Sequence, residues 1–225
     1  MRIPARLQGL AIPPARFATL TDALAAAAVS DTGLTFWDAA ERETVVPWRE
    51  LHLRARRVAG ALVRLGIRRG DRVAIVLPTS PSFPDAFFGT LLAGAVPVPL
   101  YPPVRLGRLA EYHFRTARLL GACGARLLLT DRRVRRLLGE PTAEARPALG
   151  CRTMDDLDTS GPEVALQPKR DEIALIQFSS GTTVDPKPVA LTHANVLANA
   201  AAIDSYLPEG GRYRQSGVSL SLIHI

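Results

Sequence analysis

The chain has 225 residues, 47% hydrophobic and 22% charged. That balance excludes a disordered chain and leaves room for one sizeable core or two small ones. The net charge is +7, but the only lysines are Lys169 and Lys187, and the arginines are spread over helix-like segments. No aromatic residue interleaves with the densest run, Arg132, Arg133, Arg135 and Arg136, so a solvated helical face is expected there and a nucleic-acid interface is not.

Cys123 and Cys151 fit no metal motif and suggest no disulfide framework, and the histidines are scattered without a paired metal spacing. No structural metal is expected. Reduced cysteines and the lack of a leader-like segment lead us to expect a cytoplasmic protein.

Residues 1–16 hold Pro4, Gly9, Pro13 and Pro14 with little periodicity, and a loose lead-in is expected. Thr19-Leu20-Thr21-Asp22 then opens an Ala-rich helix to about Val29, with a hydroxyl cap and an early acid. Residues 34–37 and 44–46 are β-rich and separated by Glu41-Arg42-Glu43, the pattern of a hairpin. Residues 48–65 form the clearest helix: Leu51, Ala55, Val58, Ala59, Leu62 and Leu65 fall on one stripe, and Gly66 closes it. Residues 72–77 read as a buried strand, 82–93 as an apolar helix and 96–99 as a short strand. Helix is expected over 106–120, strand over 125–129 and helix over 132–138. Residues 140–170, with Pro141, Pro147, Pro162 and Pro168, read as irregular. A strand follows at 173–178 and a helix at 194–206.

Residues 86–104 carry no charge over nearly the span of a bilayer. Pro97, Pro99, Pro102 and Pro103 would break a helix in its second half. No transmembrane segment is expected there. Strands alternating with helices in this way predict an α/β fold, a mostly parallel sheet flanked by helices. Ligands of such folds bind beyond the carboxyl ends of the strands, which draws attention to the segment after Phe178.

That segment reads Ser179-Ser180-Gly181-Thr182-Thr183-Val184-Asp185-Pro186-Lys187-Pro188. Small residues let backbone N–H groups approach an anion, hydroxyls add donors, and a lysine adds a point charge. It is not a Walker A loop, because no Gly-Lys-Ser/Thr follows Gly181 at the required spacing, and no GxGxxG element occurs. On composition alone, phosphate binding and a plain polar turn between two strands both remain open.

The run from Gln177 to Leu191, QFSSGTTVDPKPVAL, followed by Thr192-His193-Ala194-Asn195, resembles the phosphate loop of the adenylate-forming superfamily. Phe178, Ser179, Ser180, Gly181, Thr182, Thr183, Pro186, Lys187, Val189, Thr192, His193 and Asn195 match its pattern position by position. Val184 and Pro188 stand where the family has glycines; the first resists positive φ and the second lacks an N–H. Gly70-Asp71-Arg72-Val73-Ala74 and residues 82–103 look like further parts of the same family. The ending Tyr101-Pro102-Pro103 is closest to fatty acyl-AMP ligases.

The resemblance implies an incomplete N-terminal domain of an enzyme that forms acyl-AMP from ATP and a carboxylic acid, with magnesium at the phosphates. A fatty acid is the expected substrate, and coenzyme A or an acyl carrier protein the acceptor. Ser179, Ser180, Gly181, Thr182, Thr183 and Lys187 are the expected ATP-binding residues. The family's adenine site, its Thr-Glu pair, its ribose aspartate and the lysine of its C-terminal domain have no counterpart here. Lys187 is not that lysine, so no catalytic residue is expected in the chain. Residues 17–219 are then a partial AMP-binding domain. Residues 220–225, Leu-Ser-Leu-Ile-His-Ile, replace an expected aromatic strand and read as the tail of a truncated or mis-assembled frame. A non-catalytic nucleotide-binding remnant or interaction module, and an amino-acid adenylation domain, are the competing readings.

Overall fold

The structure, a computed structural model, describes residues 13–38, 40–103, 109–178 and 187–205. The elements run α1 (Leu20–Ala27), β1 (Gly33–Trp37), β2 (Glu43–Pro47), α2 (Trp48–Arg64), β3 (Arg72–Val76), α3 (Ser82–Leu92), β4 (Val96–Pro99) and α4 (Leu109–Cys123). There follow β5 (Leu127–Thr130), α5 (Arg132–Arg135), α6 (Gly139–Ala145), β6 (Cys151–Thr153), β7 (Ile173–Phe178), β8 (Pro188–Thr192) and α7 (His193–Asp204).

The central sheet has the order β4-β3-β5-β6 and is parallel throughout. Its side chains alternate between two apolar layers. Val73, Ile75, Leu127 and Leu129 face a core shared with Leu51, Ala55, Val58 and Leu62 of α2 and Ala86 and Leu92 of α3. Ala74, Val76, Val96, Val98 and Leu128 face a second core with Leu120 and Cys123 of α4, Val134, Leu138 and Ile176. A strand covered on both faces has no polar side, which is why residues 73–77 and 127–129 are continuous apolar runs. The α/β expectation holds, and within the uncharged stretch residues 86–92 belong to α3 and 96–99 to β4. Among the described residues no helix is long and apolar enough to cross a membrane.

Residues 140–170 depart from the irregular reading. Pro141 lies in the first turn of α6, where helix N–H groups have no intrahelical partner and a missing one costs little. Arg146 ends that helix at φ +47°, and Pro147 follows. The three residues of β6 then pair with β5, Leu128 opposite Cys151 and Thr130 opposite Thr153. Three residues are too few to show a period, so the fourth strand was hidden. The arginine run also gains partners at this point: Arg132 pairs with Asp155 at 2.9 Å and Arg135 with Asp156 at 2.8 Å.

Residues 157–172 remain irregular but are strapped to the helices. The Val164 N–H donates to the Arg56 carbonyl at 3.1 Å and the Leu166 N–H to the Leu92 carbonyl at 2.8 Å. The Arg64 guanidinium donates to the carbonyls of Pro162 and Asp158. A Cβ at Gly60 would collide with the Pro162 carbonyl oxygen, so the strap lies directly on α2 at a residue without a side chain.

Helices α2 and α3 cross closely at Gly89. A Cβ there would meet Val58 Cγ1 at 2.5 Å and Val58 Cβ at 2.7 Å. Gly89→Ala is expected to cost about 1–3 kcal/mol by forcing the crossing apart. Gly121→Ala in α4, where an added Cβ meets nothing within 4 Å, is expected to stabilise by about 0.4–1 kcal/mol. Urea unfolding midpoints of the two variants should therefore move in opposite directions.

The same crossing holds Asp85. Its Oδ1 accepts from Arg54 Nε at 3.1 Å, while Arg54 Nη1 donates to Glu50 at 2.9 Å. Burial nevertheless outweighs the arginine and pushes the Asp85 carboxyl from 3.8 up to about 6. A folded protein that holds this proton more tightly than the unfolded chain loses that share of stability as pH rises through about 6. Asp85→Asn cannot ionise. Its stability relative to the unsubstituted protein should therefore rise between about pH 4 and about pH 6 and stay level above, as read from urea midpoints across that range.

Candidate functional site

β7 and β8 form an antiparallel pair. Ile173 lies opposite Thr192, Leu175 opposite Leu191, Ile176 opposite Ala190, Gln177 opposite Val189 and Phe178 opposite Pro188. This corrects one expectation. β7 is not a strand of the parallel sheet, so the segment after Phe178 does not sit at the carboxyl end of a parallel strand. A parallel return needs a crossover of a dozen residues or more, and 179–187 is too short to supply one.

The hairpin is attached by one face. Ala174 and Ile176 are buried, and Ile176 and Phe178 pack into the second core beside Val98 and Leu100. β8 is covered less: Pro188, Val189 and Ala190 are exposed. Pro188 is the first residue of that strand, a position where a missing N–H is tolerated. This accounts for how the hairpin accepts proline in place of the family's glycine.

Phe178 and Pro188 are opposite one another, so the segment joining them leaves and re-enters at one strand spacing. Ser179, Ser180, Gly181, Thr182 and Thr183 lie outside the described residues, as does Val184. Lys187 is described and exposed, immediately before β8. A cation at that point stands at the end of a segment rich in hydroxyls and is free of competing burial. Among the described residues no three His, Cys, Asp or Glu side chains are grouped to hold a metal.

Behind the hairpin, the Thr-His-x-Asn motif is a helix start. Thr192 caps α7: the Asn195 N–H donates to Thr192 Oγ1 at 3.2 Å, and Asn195 Oδ1 accepts from the Thr192 N–H at 3.0 Å. This reciprocal pair satisfies two backbone donors that the helix leaves open. The spacing of a hydroxyl and an amide three residues apart carries that signal in the sequence.

His193 is 1% exposed, and its Nδ1 accepts from the Leu20 N–H of α1 at 3.0 Å. Its own N–H donates to the Glu172 carbonyl at 3.1 Å, and the Ala194 N–H to the Arg170 carbonyl at 3.0 Å. Burial holds the imidazole below the ordinary histidine range, against the carboxylates of Glu172 and Asp22, which favour the cation. Glu172 is paired with Arg69, which also donates to the Gln167 carbonyl at 2.8 Å. Sequence reasoning missed Arg69, Glu172 and Leu20 as neighbours of the motif. Contacts across 103 and 173 positions leave no local pattern.

A parallel sheet wrapped by helices, with a separate antiparallel hairpin whose strands meet at Phe178 and Pro188, defines the class: an α/β protein. The profile of the family described as "AMP-binding enzyme" matches residues 24–225, and the chain belongs to that family. It is 30% identical over 188 residues to the long-chain-fatty-acid–AMP ligase FadD32 of Mycobacterium marinum, covering 81% of this chain and 28% of the relative. It is 31% identical over 166 residues to 4-coumarate–CoA ligase 2 of Solanum tuberosum, covering 71% and 30%.

A solved structure from a study of fatty acyl-adenylate ligases of E. coli and L. pneumophila superimposes with a TM-score of 0.80 at 32% identity. That match covers 88% of this chain and 37% of the other. The L. pneumophila fatty acyl-adenylate ligase in complex with acyl adenylate and pyrophosphate gives a TM-score of 0.70 at 25% identity, over 82% and 32% of the two chains. The chain thus spans about a third of the length of the relatives it matches.

Proposed function

We propose that residues 179–187 hold the pyrophosphate end of ATP, as this segment's part in forming acyl-AMP from a carboxylic acid. The observation that carries the reading is the placement of a glycine, four hydroxyls and one of two lysines at the turn of a core-anchored hairpin in an AMP-binding chain. Backbone N–H groups flanking Gly181, the hydroxyls of Ser179, Ser180, Thr182 and Thr183, and the Lys187 ammonium supply donors to the β- and γ-phosphate oxygens. Magnesium binds with those phosphates. The acid's carboxylate oxygen attacks the α-phosphorus, the α–β phosphoanhydride bond breaks and pyrophosphate leaves. The donors act by orienting ATP and by stabilising the charge that develops on the leaving group.

A fatty acid is the proposed substrate, because the fatty acyl-adenylate ligases are among the structures this chain superimposes on at the higher identities. A thiol, of coenzyme A or a carrier protein, then takes the acyl group. The 225 residues span about a third of the length of these relatives, so the reaction and its substrates are proposed for the whole protein.

Equilibrium binding of magnesium pyrophosphate tests the reading. Lys187→Ala is expected to weaken it about ten- to a hundredfold, the loss of one hydrogen bond to a charged group. In a full-length protein that forms acyl-AMP, the same substitution should slow acyl-AMP formation by about the same factor and spare transfer from pre-formed acyl-AMP. Equal loss in both half-reactions would contradict the assignment.

A further inference from the structure

The phosphate-handling reading assigns nothing to His193, a buried residue in the motif directly behind the hairpin. The residue is 1% exposed. What it touches is backbone. In the first turn of α1, the Asp22 N–H is taken by Thr19 Oγ1 and the Thr19 N–H by Asp22 Oδ2. The Leu20 N–H has no intrahelical acceptor, and His193 Nδ1 takes it at 3.0 Å. A nitrogen that accepts from an N–H carries no proton itself, so the ring's proton is on Nε2.

The residue's own N–H reaches the Glu172 carbonyl, one residue before β7, while Thr192 at the end of β8 faces Ile173 at the start of β7. Three chain segments therefore meet at this one side chain and its backbone. We propose that His193 is a positioning residue: as the Nε2-protonated tautomer it ties α1 to the start of α7 and so holds the root of the β7–β8 hairpin that presents residues 179–187. Only the last link, to phosphate binding, rests on the function proposed above.

The tie depends on protonation. A proton on Nδ1 would face the Leu20 N–H with a second donor and break the bond. The charged groups facing the ring are Asp22 of α1 and Glu172 ahead of β7, the latter shared with Arg69. Both acids favour the imidazolium, and burial opposes it more strongly, so the tie persists below the ordinary histidine range. The folded protein binds this proton less tightly than the unfolded chain, so the contribution is complete above about pH 6.5 and is lost as pH falls below it.

The test compares the full chain with H193A and H193N. Asparagine can place its amide oxygen close to where Nδ1 lies. Amide hydrogen exchange near neutral pH is expected to show a protected Leu20 N–H that exchanges about tenfold faster or more in H193A and returns to within about twofold in H193N. The β7 and β8 amides should follow the same order. Corrected for intrinsic rates, Leu20 protection should fall in acid in the unsubstituted chain and stay flat in H193N. Magnesium pyrophosphate should bind several-fold more weakly to H193A than to H193N, a difference that a general loss of packing at both substitutions would not give.

A Leu20 N–H that is unprotected, a nitrogen spectrum with the ring proton on Nδ1, or failure of H193N to restore protection would overturn the proposal. So would β7 and β8 amides that ignore His193. If H193A does not fold, the acid series and H193N decide the matter. If the unsubstituted chain binds no pyrophosphate, the phosphate reading fails and the exchange measurements still decide the tie.

Discussion

Burial of β3 on both faces organises the molecule. Val73, Ala74, Ile75 and Val76 are each fully buried, and alternate residues enter different cores. A strand in that position must be covered by two layers, and a parallel neighbour on each side must be reached by a crossover. α3 returns the chain to β4 and α4 carries it across to β5, so both layers are built by the connections themselves. The close crossing at Gly89 lets α2 share the first layer with α3, and the 157–172 strap lies over the outside of that layer. Leaving one fully buried leucine of this sheet exposed would cost about 1.5–3 kcal/mol, and the sheet contains several.

The hairpin depends on that construction without belonging to its sheet. Ile176 and Phe178 use the second core, Glu172 reaches Arg69 ahead of β3, and His193 reaches α1. Its root is thus fixed to three parts of the domain, while β8 and Lys187 remain exposed. That division suits the anion-binding role proposed for residues 179–187. Donors aimed at phosphate need little reorganisation when their supports are rigid, and they must stay open to solvent for a nucleotide to enter.

The parts of the fold legible in the sequence are those with a period or a cap. The stripe of α2, the Thr19 and Asp22 start of α1, the β1–β2 hairpin, and β4 and β7 follow the expected positions. β6 escaped because three residues show no alternation, and α6 because Pro141 reads as a breaker unless it is known to lie in a first turn. Placing β7 in the parallel sheet extended the parallel rule one strand too far. For the site, residue chemistry pointed to Lys187 and its hydroxyl neighbours, of which the structure describes Lys187, exposed ahead of β8. The supports at Leu20, Arg69 and Glu172 were not legible, since they are brought together only by the finished fold.

The most direct test is a titration of the isotope-labelled chain with magnesium pyrophosphate, following backbone amide shifts. The account predicts changes at residues 178–188, with none at the β1–β2 hairpin and none beyond β3 and β5 at residues 77–81 and 130–131. Shifts centred on the ends of those parallel strands, or no shifts anywhere, would contradict the claim that this hairpin is the phosphate-binding element.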